Sequence, residues 1–576
     1  MTDEAPTSGQ NSAGPVARWA GISARRRSFV IFLFTAIALL VTMNRGVNIF
    51  DEGIIYGGAM RVLAGQLVHR DFYSVYGPGS YAMLAGLFAV FGPGFLLGRM
   101  AGLLIAAATV GLAHLILARR TSAGVALGTA ALIGLWMMTE PLYLAPIYPC
   151  MGLTMLAAGV MLRPGAARHT GALVGAGAIC GLMALFRYDT GFFVLLALVL
   201  GVTATNLAAL GSRRSMAASL RAAVLLGIGA GAVFLPFAAY YLAHAPLAAF
   251  RHDIIDYTVQ YYGRMRGLPF PGPMDLLRDP HALGVYLPLM IVGAAMPVIV
   301  ADWRTLRGAR DMTIPASLLF ALLAVLLFSK GMVRVSTVHM MMALVPATAL
   351  AGVVWDRWTR RGGKWCMAAR LSALVMVLAA GIGLHGAVYH FKKYPASATW
   401  VWAAEEAGLW PGEPDPVEAC PSWAGMQGAL TSEHYARIAS YLARHSAPDD
   451  KVLVGLARTD QYVINSMFLN YAANRLPGTH WSQYDPGLQS RLDIQRQMVR
   501  ELSALDVRWV VRDATLGPST EPNDSALSTG VTLLDDTVAA RYRPVGGAGG
   551  VSLWLRRDLA QPDASGDPAG CRLDPA

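Results

Sequence analysis

The sequence predicts a polytopic α-helical membrane protein of about 11 transmembrane helices with a small α/β extracytoplasmic domain at its C-terminal end. Three observations predict it. Of 576 residues, 55% are apolar and only 14% charged, where an ordinary soluble protein has about 25% charged residues. The apolar residues fall in long runs, and mean hydropathy is +0.44. The stretch 391–576 is polar and has no such run. A disordered chain and a wholly soluble one are both excluded by this pattern.

The elements follow in order. Residues 1–27 form a Ser/Gly/Pro-rich tail ending in Arg25-Arg26-Arg27, and the apolar run Ser28–Met43 follows. No small-residue cleavage site follows that run, so it reads as an uncleaved first helix with its arginines in the cytoplasm. Further runs occupy 96–118, 123–139, 147–162, 170–186, 191–208, 221–243, 284–301, 313–329, 338–354 and 368–389. Each is near the roughly 17–25 residues that a crossing needs. Pro78–Phe91 is shorter and fenced by Pro78-Gly79 and Gly92-Pro93-Gly94. It reads as a juxtamembrane helix at the outer interface, because counting it as a span would turn the later arginine clusters outward.

Charge supports that topology. With charges at span ends assigned to the adjoining side, the inner segments hold 19 Lys/Arg and 5 Asp/Glu, and the outer loops before residue 390 hold 11 and 9. This is the positive-inside bias. The net charge of +11 is therefore mostly topology, not a nucleic-acid patch. The domains expected are a cytoplasmic tail at 1–27, a transmembrane domain at 28–390 whose first outer loop is 44–80, and an extracytoplasmic α/β domain at 391–576. In the last, Lys451–Gly455 and Val507–Arg512 read as strands, and Ser432–His445 and Leu492–Leu505 as amphipathic helices. Cys420 and Cys571 both fall there. An oxidising compartment allows a disulfide between them, with two free thiols as the alternative. The tail from Gln561 is expected to be loose unless such a bridge holds it.

Ionisable residues are scarce inside the runs, where His114 reads as a packed side chain, and they gather at outer helix ends. The first outer loop is richest. Asp51-Glu52 follows an apolar span, where a desolvated carboxylate can serve as a general base; a solvated pair capping the next helix is the competing reading. Arg187-Tyr188-Asp189 ends the fifth span, and Lys330, Arg334 and His339 surround the loop before the tenth. These have interfacial anchoring as their alternative. The loop His244–His281 carries Arg264 and Arg266, and Glu140, Tyr143 and Tyr148 follow the third span. Guanidinium and ammonium groups gathered at one membrane face suit a lipid phosphate. Acids near the midplane and paired broken helices, which an ion pump needs, are not seen.

Asp51-Glu52-Gly53, Arg70-Asp71-Phe72, Tyr76-Gly77-Pro78-Gly79 and Leu87-Phe88-Ala89-Val90-Phe91-Gly92 resemble the GT-C superfamily of integral-membrane glycosyltransferases. The likeness is to the bacterial branch related to protein mannosyltransferases and to the aminoarabinose transferases of lipid A. It covers roughly 28–390. It implies transfer of a hexosyl or pentosyl group, with inversion, from a polyprenyl-phosphate donor to an envelope lipid, glycan or protein at the outer face of a bacterial inner membrane. Asp51 would then be the catalytic residue, supported by Glu52. Arg187, Lys330 and Arg334 would meet the donor phosphate, with Arg70, Arg264 and Arg266 as further candidates. Asp71 and Tyr76 belong to the matched motifs, and Asp189 and His339 would orient the cations or hold sugar hydroxyls. The chain departs from the pattern at Tyr76-Gly77-Pro78-Gly79, where relatives carry a Lys or His before Pro-Pro. No metal is expected, although Asp51-Glu52 offers oxygen ligands for a divalent ion. A flippase or transporter of lipid-linked sugars, and a non-catalytic scaffold, are the rival functions.

Overall fold

The computed structural model describes residues 19, 21–139, 142–210, 212–307, 312–361, 366–393, 399–409, 420, 422–461, 464–517 and 519–575. Most of the 1–27 tail and Glu140 lie outside the described residues. Each of the eleven apolar runs corresponds to a helix. These are Ala24–Thr42, Phe95–Leu117, Ala123–Met137, Ile147–Met161, Thr170–Phe186, Tyr188–Ala209, Ser212–His244, Leu287–Thr305, Ala316–Gly331, Thr337–Arg361 and Cys366–Lys393. Ser23 begins the first of these as a side-chain cap, its Oγ accepting from the Arg26 amide, and arginines crowd its first turn.

Five helices are long and apolar enough to cross a membrane: Phe95–Leu117, Tyr188–Ala209, Arg213–His244, Leu287–Thr305 and Thr337–Arg360. Six other apolar helices have 10–17 residues. The expected count of eleven crossings thus exceeds what helix length and composition alone support among the described residues. The segment expected to lie beside the membrane is a helix, Gly79–Phe91, of 13 residues. At about 1.5 Å per residue it is too short for a hydrocarbon layer about 30 Å thick.

The polar C-terminal region contains a five-stranded sheet: β1 Lys451–Leu456, β2 Leu476–Pro477, β3 Trp509–Asp513, β4 Tyr542–Ala548 and β5 Val551–Arg556. The strand order is β2-β1-β3-β5-β4. β1 runs parallel to β2 and β3, while β5 is antiparallel to β3 and β4. Helices Glu433–His445 and Leu492–Ala504 accompany the sheet, as does Leu533–Arg541, which the sequence reading did not contain.

The period-2 alternation of strand side chains divides this sheet between two cores. Val452, Val454, Trp509 and Val511 face a core that also contains Ile54, Tyr56, Tyr81 and Phe88 of the first-loop helices. Leu453 and Val510 face the other, with Met498 and Leu502. One face of the sheet is therefore continuous with the first loop. Gly53 permits the closest part of that packing, since a Cβ there would collide with the Phe468 backbone amide, which donates to the Ile49 carbonyl at 2.9 Å. The Cys420–Cys571 disulfide, Cα–Cα 5.4 Å, fixes the end of the chain. Asp574 exchanges two backbone hydrogen bonds with Gly547, and Arg437 binds the Asp574 carboxylate at 2.8 Å.

Candidate active site

The first loop folds around Asn48. Its side-chain oxygen accepts from the Asp51 amide at 2.9 Å, and its Nδ2 donates to Asp51 Oδ2 at 3.1 Å. This starts the helix Asp51–Leu63 with both carboxylates in its first turn, where the helix dipole favours negative charge. From that shared turn the two carboxylates enter different surroundings.

Glu52 is fully buried. Its Oε1 and Oε2 accept from Arg99 Nε and Nη2 at 2.8 and 2.7 Å, and Oε2 also accepts from the Asn48 amide at 2.9 Å. Arg99 spends its remaining donors on the Asn44 and Gly46 carbonyls. Glu52 therefore braces the loop. Asp51 is half-buried and makes no salt bridge among the described residues. Burial raises its carboxyl above the ordinary value of 3.8, opposed by the charges of Arg266 and Arg334 and the Asn48 hydrogen bond.

Beyond Arg266 and Arg334, whose charges act on Asp51, a second group of charges gathers around Arg187. Arg187 holds Asp189 through both carboxylate oxygens at 3.1 and 2.9 Å and lies 5.5 Å from the centre of the Tyr76 ring. Lys330 has no hydrogen-bond or salt-bridge partner among the described residues, and the charges of Arg187 and Asp189 act on it. His339 accepts or donates to Ser336 at 2.7 Å and feels Lys330, Arg334, Arg266 and Arg187 together. Tyr76 is within electrostatic reach of both Asp51 and Arg187. The structure thus brings Asp51, Tyr76, Arg187, Asp189, Lys330, Arg334 and His339 into one neighbourhood.

Gly77 makes part of this possible. Its amide donates to the Phe186 carbonyl at 3.2 Å, and a Cβ there would strike the Leu185 carbonyl. The turn after Tyr76 therefore lies directly against the end of the helix that precedes Arg187.

Arg70 and Asp71 stand apart. They pair with each other at 2.6 Å on a partly exposed surface, and Asp71 also caps the Leu67 amide at 2.7 Å. The sequence reading did not single out Asn48, Arg99, Arg61, Asp485 or Glu521. Arg61 is buried and joins the first loop to Thr479, Ser482 and Asp71. Arg266 donates to Asp485 at 2.9 Å, and Arg334 binds Glu521 through both carboxylate oxygens at 2.7 and 2.6 Å. The signal for Arg99 was present, as an arginine inside an apolar run. The others lie in loops without periodicity. Among the described residues no group of three or more His, Cys, Asp or Glu could hold a metal ion, and Arg99 occupies the Glu52 oxygens.

No family model matches the chain, and no curated protein matches it. Solved structures do. ArnT from Cupriavidus metallidurans in the apo state has a TM-score of 0.51 and 15% identity, covering 94% of this chain and 100% of that one. ArnT bound to undecaprenyl phosphate has a TM-score of 0.50 and 15% identity, covering 93% and 98%. The chain's fold is similar to that of these ArnT structures. The likeness to ArnT runs along nearly the whole of both chains, and at this identity it is a likeness of fold.

Proposed function

We propose that the chain is a multi-pass inner-membrane glycosyltransferase that moves a sugar from a polyprenyl-phosphate donor to an envelope acceptor at the outer face. The observation that carries this reading is the pairing of Asp51, a desolvated carboxylate without a salt bridge, with the cations Arg187, Lys330 and Arg334 in the same neighbourhood. The undecaprenyl phosphate bound by the ArnT of similar fold supports a lipid phosphate as their ligand. Residues 28–390 would form the catalytic membrane domain and 391–576 an extracytoplasmic domain.

In this mechanism Asp51 takes the proton of the acceptor hydroxyl as its oxygen attacks the anomeric carbon. The new C–O bond forms opposite the breaking bond to phosphate, so the anomeric configuration inverts. The bonding pair leaves on the phosphate oxygen. Arg187, Lys330 and Arg334 stabilise the charge that develops there, and Asp189 keeps Arg187 oriented. Glu52, through Arg99, holds the loop that carries Asp51.

The test compares envelope glycans and lipid-linked sugars by mass spectrometry in a deletion strain, the deletion carrying wild type, and the deletion carrying Asp51→Asn at matched protein level. The expected result is a glycoconjugate short of one sugar in the deletion, restored by wild type and not by Asp51→Asn. Restoration by Asp51→Asn would remove the base and favour a transporter of lipid-linked sugars or a scaffold.

A further inference from the structure

Arg266 belongs to the short helix Gly263–Arg266 of the long loop, yet its guanidinium is held by the C-terminal region. Nη1 donates to Asp485 Oδ1 at 2.9 Å, and Asp485 is only 4% exposed. Asp485 is itself fixed from two further sides, by Gln483 Nε2 at 2.5 Å and by the Tyr73 hydroxyl at 3.4 Å. The Arg266 carbonyl accepts from Arg334 Nη1 at 3.2 Å. The first loop, the long loop and the C-terminal region therefore meet at the Asp485 carboxylate. Arg266 is also the leading positive influence on Asp51, while no salt bridge joins Asp51 to any described residue.

We propose that Asp485, contributed by the C-terminal region, is a positioning residue for the base: it holds Arg266 on its own carboxylate, so that Arg266 supports the ionised Asp51 without neutralising it in a direct ion pair. A base locked into a bidentate pair with arginine loses proton affinity; one with the arginine held nearby retains it.

The groups facing the two carboxylates fit this division. Asp51 has Asn48 and Glu52 on its own loop and helix, with Glu52 taken by Arg99. Tyr76 and Tyr143 approach it from neighbouring loops. Arg266 and Arg334 supply positive charge. Asp485 faces Arg266, Gln483, Tyr73 and, as a like charge, Asp51, with Tyr76 and Tyr81 beyond. Loss of the Asp485 charge removes that repulsion and frees Arg266 for Asp51. Both changes lower the proton affinity of Asp51.

The inference rests on the glycosyltransferase reading, and the test separates the two. Membranes from the deletion strain carrying each full-length variant supply native donor and acceptor, and transfer is followed by mass spectrometry across pH. Transfer persisting in Asp51→Asn overturns the glycosyltransferase reading itself. With that control inactive, Asp485→Asn is expected to slow transfer on the order of tenfold and to move the acidic limb of the rate profile to lower pH. Asp485→Glu restores both. Arg266→Gln removes the cation and moves the limb to higher pH. Asp485→Ser replaces the amide variant if that protein fails to accumulate, and is judged by the same displacement. An acidic limb unchanged from wild type in the Asp485 variant, or displaced in the same direction as in Arg266→Gln, overturns the proposal. A merely structural role would lower the amount of active protein without moving the limb.

Discussion

Glu52 and Arg99 form a bidentate ion pair in which neither side chain is exposed. The pair ties the turn that carries Asp51 to the helix Phe95–Leu117, while Asn48 links both carboxylates through hydrogen bonds. Adjacent acids of similar chemistry thus stand in different surroundings, Glu52 paired with Arg99 and Asp51 without a salt bridge among the described residues.

Glu52→Gln leaves the Arg99 charge buried against a neutral partner. Breaking a buried pair in this way costs about 3–5 kcal/mol. The expected result is a clear fall in Tm of the detergent-solubilised protein, together with loss of transfer. A variant of wild-type Tm and no activity would instead place Glu52 in the chemistry.

Asp51→Asn is expected to behave in the opposite way. Loss of a general base costs about 10²–10⁴ in rate. Asp51 has its folded proton affinity raised by burial, so its ionised form costs stability. That cost is fully present above the folded pKa and vanishes as pH falls below the unfolded value. Thermal unfolding should therefore show Asp51→Asn at least as stable as wild type at neutral pH, with the difference shrinking on acidification.

Lys330→Ala removes the cation that has no hydrogen-bond or salt-bridge partner among the described residues. A hydrogen bond to a charged group contributes about 1.5–3 kcal/mol, so affinity for undecaprenyl phosphate should fall roughly 10- to 100-fold. Binding to purified protein in nanodiscs measures this. Lys330→Arg should recover part of the loss, and unchanged affinity in the alanine variant would exclude Lys330 from the phosphate site.

Cys571→Ser opens a link between residues 151 apart in sequence. Loss of a native disulfide typically costs about 2–5 kcal/mol. The expected outcome is earlier proteolytic cleavage after Gln561 and a lower Tm, reproduced in wild type by a reductant.

Helix positions were legible because a bilayer imposes a length on apolar runs: Thr170–Phe186 coincides with its run, and Ala123–Met137 ends two residues early. The extension of 221–243 back to Ser212 was not legible, since the added turns carry Arg213 and Arg214. Asp51 stood out by its position after an apolar span. Nothing local distinguishes it from Glu52, because the difference is made by Arg99, 47 residues away. Arg266 and Asp485 are 219 residues apart and lie in segments without apolar period, so their meeting is a property of tertiary structure alone. β4 was hidden by Pro544, Gly546 and Gly547, where its register shifts. β5 carries a regular alternation, Val551 to Arg556, that the sequence reading passed over.

The two backbone hydrogen bonds between Asp574 and Gly547 have a consequence for solubility. β4 is the last strand on its side of the sheet, and such a margin offers unpaired amides and carbonyls to any other extended chain. The terminal segment takes up that pairing at Gly547 and is kept there by Cys571 and Arg437. In the reduced or truncated protein this margin would be open to strand addition from a second copy, so the disulfide guards against aggregation as well as unfolding.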